Sequence, residues 1–115
     1  MLRSILIVAL AGCGLEHRGE PRAPELQPQT AAIAHGERLF HKFCYQCHPN
    51  GAAGLGPAIN NKPLPALAIK TQIREGVGSM PAFGSDWLSD NEVEDIASYV
   101  KALHGAPAVS ARRRR

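Results

Sequence analysis

The run Cys44-Tyr45-Gln46-Cys47-His48 constrains this chain more than any other feature. Two thiols three positions apart, followed at once by His, form the attachment signature of a c-type haem. The spacing follows from the chemistry. Each sulfur adds across one vinyl group of the porphyrin, so the two must sit about one helical turn apart. The next residue then projects its imidazole toward iron from the proximal side. Three other readings use the same residues. A thioredoxin-like redox pair sits after a strand, at the start of a helix, whereas this pair ends a helical pattern. A zinc site needs four ligands, and no second Cys or His pair with suitable spacing follows. A structural disulfide suits an exported protein but leaves His48 without a role. The expected cofactor is one haem c, held through Cys44 and Cys47.

The export signal lies at the N-terminus. Arg3 supplies a minimal positive region and Ile5 to Leu10 a short apolar one. The apolar stretch from Ser4 to Leu15 is twelve residues, against about 20 for a spanning helix, which excludes a multispan membrane protein. It leads into Leu10-Ala11-Gly12-Cys13, which looks like the bacterial lipoprotein signal, with Cys13 as the lipidated residue. Cysteine parity supports that reading: of three Cys, two belong to one motif, and the third would otherwise be an orphan thiol. Residues 1–12 are then a signal peptide. Residues 13–29 form a tether carrying Pro21, Pro24 and Pro28, in which no helical or strand period survives. Extended, such a linker reaches at most roughly 50 Å. The expected location is the periplasmic side of a bacterial membrane, with the anchor at Cys13.

A chain of 115 residues with 44% hydrophobic and 20% charged residues is one folded domain by default. The net charge of +3 is misleading. Between residues 30 and 105 there are six Lys and Arg against seven Asp and Glu, and the excess comes largely from Arg112 to Arg115. Nucleic-acid binders carry a basic patch on the folded domain, so nucleic acid is not an expected partner. Residues 106–115 read as a basic disordered tail.

The remaining elements are helical. Ile33, Gly36, Phe40, Phe43 and Cys47 fall on one stripe, with Thr30 as N-cap. Gly36 lowers helix propensity, which points to a second helix crossing closely there. A Gly-rich segment, 51–57, lets backbone approach the ring. Ala66 to Glu75 shows helical spacing at Leu67, Ile69, Ile73 and Val77, stopped by Gly76 and Gly78. Ser89-Asp90-Asn91-Glu92 is a capping box. It opens a helix whose stripe is Val93, Ile96, Ala97, Val100 and Leu103, ended by Gly105.

Met80 is the one methionine left once Met1 departs with the signal. A lone Met is usually core filler. This one lies between Gly78 and Pro81, in a loop downstream of the haem motif. A thioether is the usual sixth ligand in small c-type cytochromes and raises the reduction potential. Met80 is therefore the candidate opposite His48. The rival sixth ligands are His35, His41 and His104, all expected to be solvent-exposed.

The ordered set is more specific than any one motif. Gly36-Glu37-Arg38-Leu39-Phe40, Cys44 to His48, Gly56-Pro57, Ile73-Arg74-Glu75-Gly76, Met80-Pro81-Ala82-Phe83, Leu88-Ser89-Asp90 and Tyr99-Val100 together resemble a class I c-type cytochrome. The resemblance covers residues 30–105 and implies an all-α domain, three to four helices around a covalent haem. Its first and last helices cross, with Tyr99 packing on Gly36 and Phe40. It implies that the axial His48 ring hydrogen-bonds the Pro57 carbonyl. The implied function is to carry single electrons between redox protein partners, with no small-molecule substrate and no enzymatic activity. The alternative is a dedicated haem subunit of a membrane respiratory or dehydrogenase complex. Two departures stand out: the polar loop Asn60-Asn61-Lys62 and the Arg112 to Arg115 tail.

Overall fold

The computed structural model describes residues 30–106. The expected signal peptide, tether and anchor residue Cys13 lie outside the described residues, as does the tail from Pro107 on.

Three α-helices make the domain: α1 (Ala31–Phe43), α2 (Ala66–Glu75) and α3 (Asp90–Gly105). A 3-10 turn, Pro49–Gly51, follows α1. Among the described residues there is no strand, only one isolated antiparallel bridge between Val77 and Met80.

Helices α1 and α3 start where a side chain supplies a partner for their first N–H groups. Thr30 caps α1, its hydroxyl accepting from the Ile33 N–H at 3.2 Å. The capping box of α3 is complete: Ser89 Oγ accepts from the Glu92 N–H at 3.3 Å, and Glu92 Oε2 accepts from the Ser89 N–H at 2.8 Å. That second bond holds the Glu92 carboxyl below its usual range. Helix α2 begins after Pro65 with no side-chain cap and stops at Gly76, where φ is +66°.

The core is the seam between α1 and α3, with α2 closing one side. A Cβ placed on Gly36 would lie 2.0 Å from the Asp95 carbonyl oxygen. No side chain fits there, so glycine lets the two backbones touch. Beside the crossing, the Phe40 and Tyr99 rings pack at 5.2 Å between centroids. Leu39, absent from the expected stripe, is buried with Phe40.

Two expectations fail on burial. Leu67 is 73% exposed and Val77 65% exposed, while Ile69 and Ile73 are buried. Leu67 and Ile69 are two residues apart, and that spacing puts them on opposite sides of a helix. Val77 lies past Gly76, outside α2. Ala106, read as the first residue of the tail, is buried, its N–H bonded to the Leu103 carbonyl at 3.2 Å.

Candidate haem site

The Cys44–His48 run is a tight turn grown from the end of α1. The Cys44 and Tyr45 N–H groups both donate to the Phe40 carbonyl, at 2.8 and 2.9 Å. The Cys47 and His48 N–H groups both donate back to the Cys44 carbonyl, at 3.1 and 2.9 Å. This closes the one-turn spacing that attachment requires. Cys44 and Cys47 are not joined in a disulfide. Burial, with the neighbouring Cys47 adding to it, pushes the Cys44 thiol up to about 12.

His48 is 8% exposed. Its Nδ1 lies 2.8 Å from the Pro57 carbonyl oxygen. A carbonyl can only accept, so Nδ1 carries a proton, and Nε2 is the ring nitrogen that could face a metal. The loop from Pro49 to Asn60 wraps the ring closely. A Cβ on Gly56 would sit 2.4 Å from His48 Cε1 and 2.9 Å from Nε2. The Gly56 N–H donates to the Cys47 carbonyl at 2.9 Å, holding this close approach.

The loop is braced by a residue of the polar run that departs from the family pattern. Asn60 is fully buried. Its Nδ2 donates to the Asn50 carbonyl at 3.2 Å, and its carbonyl accepts from His104 Nδ1 at 3.3 Å. The Gly51 carbonyl accepts from both the Ile59 and Asn60 N–H groups, at 2.8 and 3.0 Å. Asn50 adopts left-handed backbone, φ 50°, which Asn tolerates better than most residues. The polar loop is therefore an internal brace.

Met80 is partly buried against the core cluster. The two Met80–Val77 backbone bonds, at 2.8 and 3.2 Å, form a narrow turn, with Gly76 under it. A Cβ there would meet the Met80 carbonyl oxygen at 2.5 Å. Phe83 packs edge-on to Phe43, centroids 6.0 Å apart, tying the Met80 loop to the end of α1 beside Cys44. Of the rival ligands, His41 and His104 are exposed. The His35 side chain is 41% exposed, with Nδ1 2.7 Å from Asp95 Oδ2 across the helix crossing. Among the described residues no cluster of three His, Cys, Asp or Glu is placed to hold a bare metal ion.

Among the described residues, three helices without strands, the first crossing the last at a glycine, and a Cys-Xaa-Xaa-Cys-His turn at the end of the first helix define a class I c-type cytochrome. Residues 31–100 match the family described as cytochrome c oxidase, cbb3-type, subunit III, and the chain belongs to that family of cytochrome c domains. It is 39% identical over 85 residues to cytochrome c6 of Cyanidioschyzon merolae, covering 66% of this chain and 79% of that one. It is 36% identical over 73 residues to the cytochrome c subunit of 4-cresol dehydrogenase (hydroxylating) from Pseudomonas putida, covering 64% of this chain and 63% of that one. In the crystal structure of p-cresol methylhydroxylase with substrate bound, one chain matches with a TM-score of 0.54 and 33% identity. That match spans 68% of this chain and all of the other. The residues present fit the cofactor: one haem c is attached through Cys44 and Cys47, and the general role is electron transfer.

Proposed function

We propose that this protein is a monohaem carrier of single electrons in which His48 and Met80 are the axial ligands. It works at the periplasmic surface of a bacterial membrane to which Cys13 anchors it. The observation that carries the ligand reading is the 2.8 Å bond from His48 Nδ1 to the Pro57 carbonyl, which leaves Nε2 as the free donor of a buried ring. Bound haem supplies a reversible one-electron iron couple. The protein's own residues do the rest. Pro57 orients the imidazole. Met80 contributes a neutral thioether, which favours a high potential. The buried aliphatic residues Ile69, Ile73 and Val100 help to exclude water. With both axial positions taken by side chains, none is left for a small-molecule substrate, so the partners are redox proteins and the chain itself is not an enzyme.

A second reading, a dedicated subunit of a dehydrogenase complex, is favoured by the likeness to the cytochrome c subunit of 4-cresol dehydrogenase. Gentle solubilisation of membranes discriminates: a carrier elutes alone, a subunit elutes with a dehydrogenase.

The ligand assignment is tested with the ferric holoprotein. A low-spin spectrum with the methionine–iron charge-transfer band at the red edge is expected. Met80→Ala should keep the haem attached, lose that band, lower the potential, and bind imidazole or, when reduced, carbon monoxide. A variant that keeps the wild-type spectrum would sink the assignment of Met80.

A further inference from the structure

We propose that Arg74 is the positioning residue of the sixth ligand: its guanidinium fixes the loop that presents Met80. The inference rests on Met80 being that ligand. From Gly76 to Ser89 the chain has no helix, so beyond its own packing against the core Met80 is placed by what grips this loop. The last turn of α2 grips it twice. The Ile73 carbonyl accepts from the Phe83 N–H at 2.8 Å. The next residue, Arg74, donates through Nη1 to the Phe83 carbonyl at 3.0 Å and to the Leu88 carbonyl at 2.7 Å. Both backbone polar groups of Phe83, three residues after Met80, are thus tied to consecutive residues of α2. The same nitrogen closes the span from Phe83 to Leu88. Nη2 reaches Asp90 Oδ1 at 2.5 Å, where α3 begins.

The weights of these contacts differ. Asp90 is 98% exposed and Arg74 only 25%. An ion pair with one partner in open water contributes little, so the anchoring lies mainly in the two carbonyl bonds. These need two N–H groups diverging from one nitrogen and a third aimed at the carboxylate. The planar guanidinium provides this fork, and a lysine ammonium does not. A thioether has no charge to hold it to a metal, so its occupancy depends on where the loop places it. Releasing Phe83 and Leu88 lets the loop drift and an exogenous ligand compete.

The test compares wild-type holoprotein with Arg74→Gln, Arg74→Lys and Thr30→Ala. The last removes the distant cap of α1 and serves as a destabilised control. The readouts are the ferric methionine–iron band, imidazole affinity and the reduction potential. Arg74→Gln is expected to weaken the band, raise imidazole affinity by about tenfold or more and lower the potential. Arg74→Lys should fall between it and wild type. Thr30→Ala should melt earlier with all three readouts unchanged. If Arg74→Gln yields no holoprotein, Arg74→Lys carries the comparison. Band, affinity and potential unchanged in the Arg74 variants, or equally changed in Thr30→Ala, would overturn the proposal. A wild-type protein without the band would instead overturn Met80 as ligand, and the role of Arg74 with it.

Discussion

Tyr99 illustrates how a single side chain ties stability to pH. It is fully buried against Phe40, and its hydroxyl has no hydrogen-bond partner among the described residues. Burial, with the Glu37 charge adding to it, pushes its pKa from 10.0 up to about 12. In the unfolded chain the phenol loses its proton near pH 10, while in the folded one it keeps it to near 12. The folded state therefore holds more protons in that window, and stability falls as pH rises through it. Below pH 10 the contribution is fully present. Tyr99→Phe should melt at a similar or higher temperature at pH 7, since it removes a buried hydroxyl with no partner. It should also lose less stability than wild type between pH 10 and 12. Thermal melts across that range check both outcomes. An equal alkaline loss in the two proteins would show that Tyr99 is not its source.

The elements divide into those that local chemistry announces and those that long-range packing decides. Helices α1 and α3 were legible because their caps are encoded within three residues of each start, Thr30 for one and the Ser89–Glu92 box for the other. Gly36 was legible as a crossing point because an interior glycine is otherwise a helix liability. Gly36→Ala should cost about 1–3 kcal/mol, typical of overpacking, because the added Cβ meets the Asp95 carbonyl rather than a flexible side chain. Denaturant melts of the holoprotein measure it, and a loss below a few tenths would mean the helices separate freely. Helix α2 was legible in extent but not in facing, since apolar spacing alone did not reveal that Leu67 points to water. Among the site residues, the haem motif and Met80 stood out by type and spacing. Asn60 was visible only as an odd polar residue and Arg74 only as part of a helical run, neither with a role. Their partners lie between 9 and 44 residues away in sequence, and polar residues in a loop or on a helix carry no local mark of burial.

For the whole molecule, a described domain of this size buries a modest core, and the covalent group counts as part of it. The double variant Cys44→Ser/Cys47→Ser should lose most of its helical circular dichroism, because a group that binds only the folded state stabilises it. A haem-free variant with native helix content would contradict this. Anchoring belongs to the same scale. Cys13→Ser should move the protein from the membrane fraction to the soluble one, since acyl chains in pairs give stable attachment where one does not. Release of wild-type protein by osmotic shock without detergent would argue against a lipid at Cys13 and leave the electron-transfer role intact. The seam where His35 meets Asp95 joins residues 60 apart in sequence. The described domain is therefore a loop fastened near its two ends, with the haem turn on one arm and the Met80 loop on the other. A backbone cut between residues 61 and 65 would separate the covalent haem from Met80 along the chain. The helix seam would still hold the two pieces as halves of one noncovalent complex.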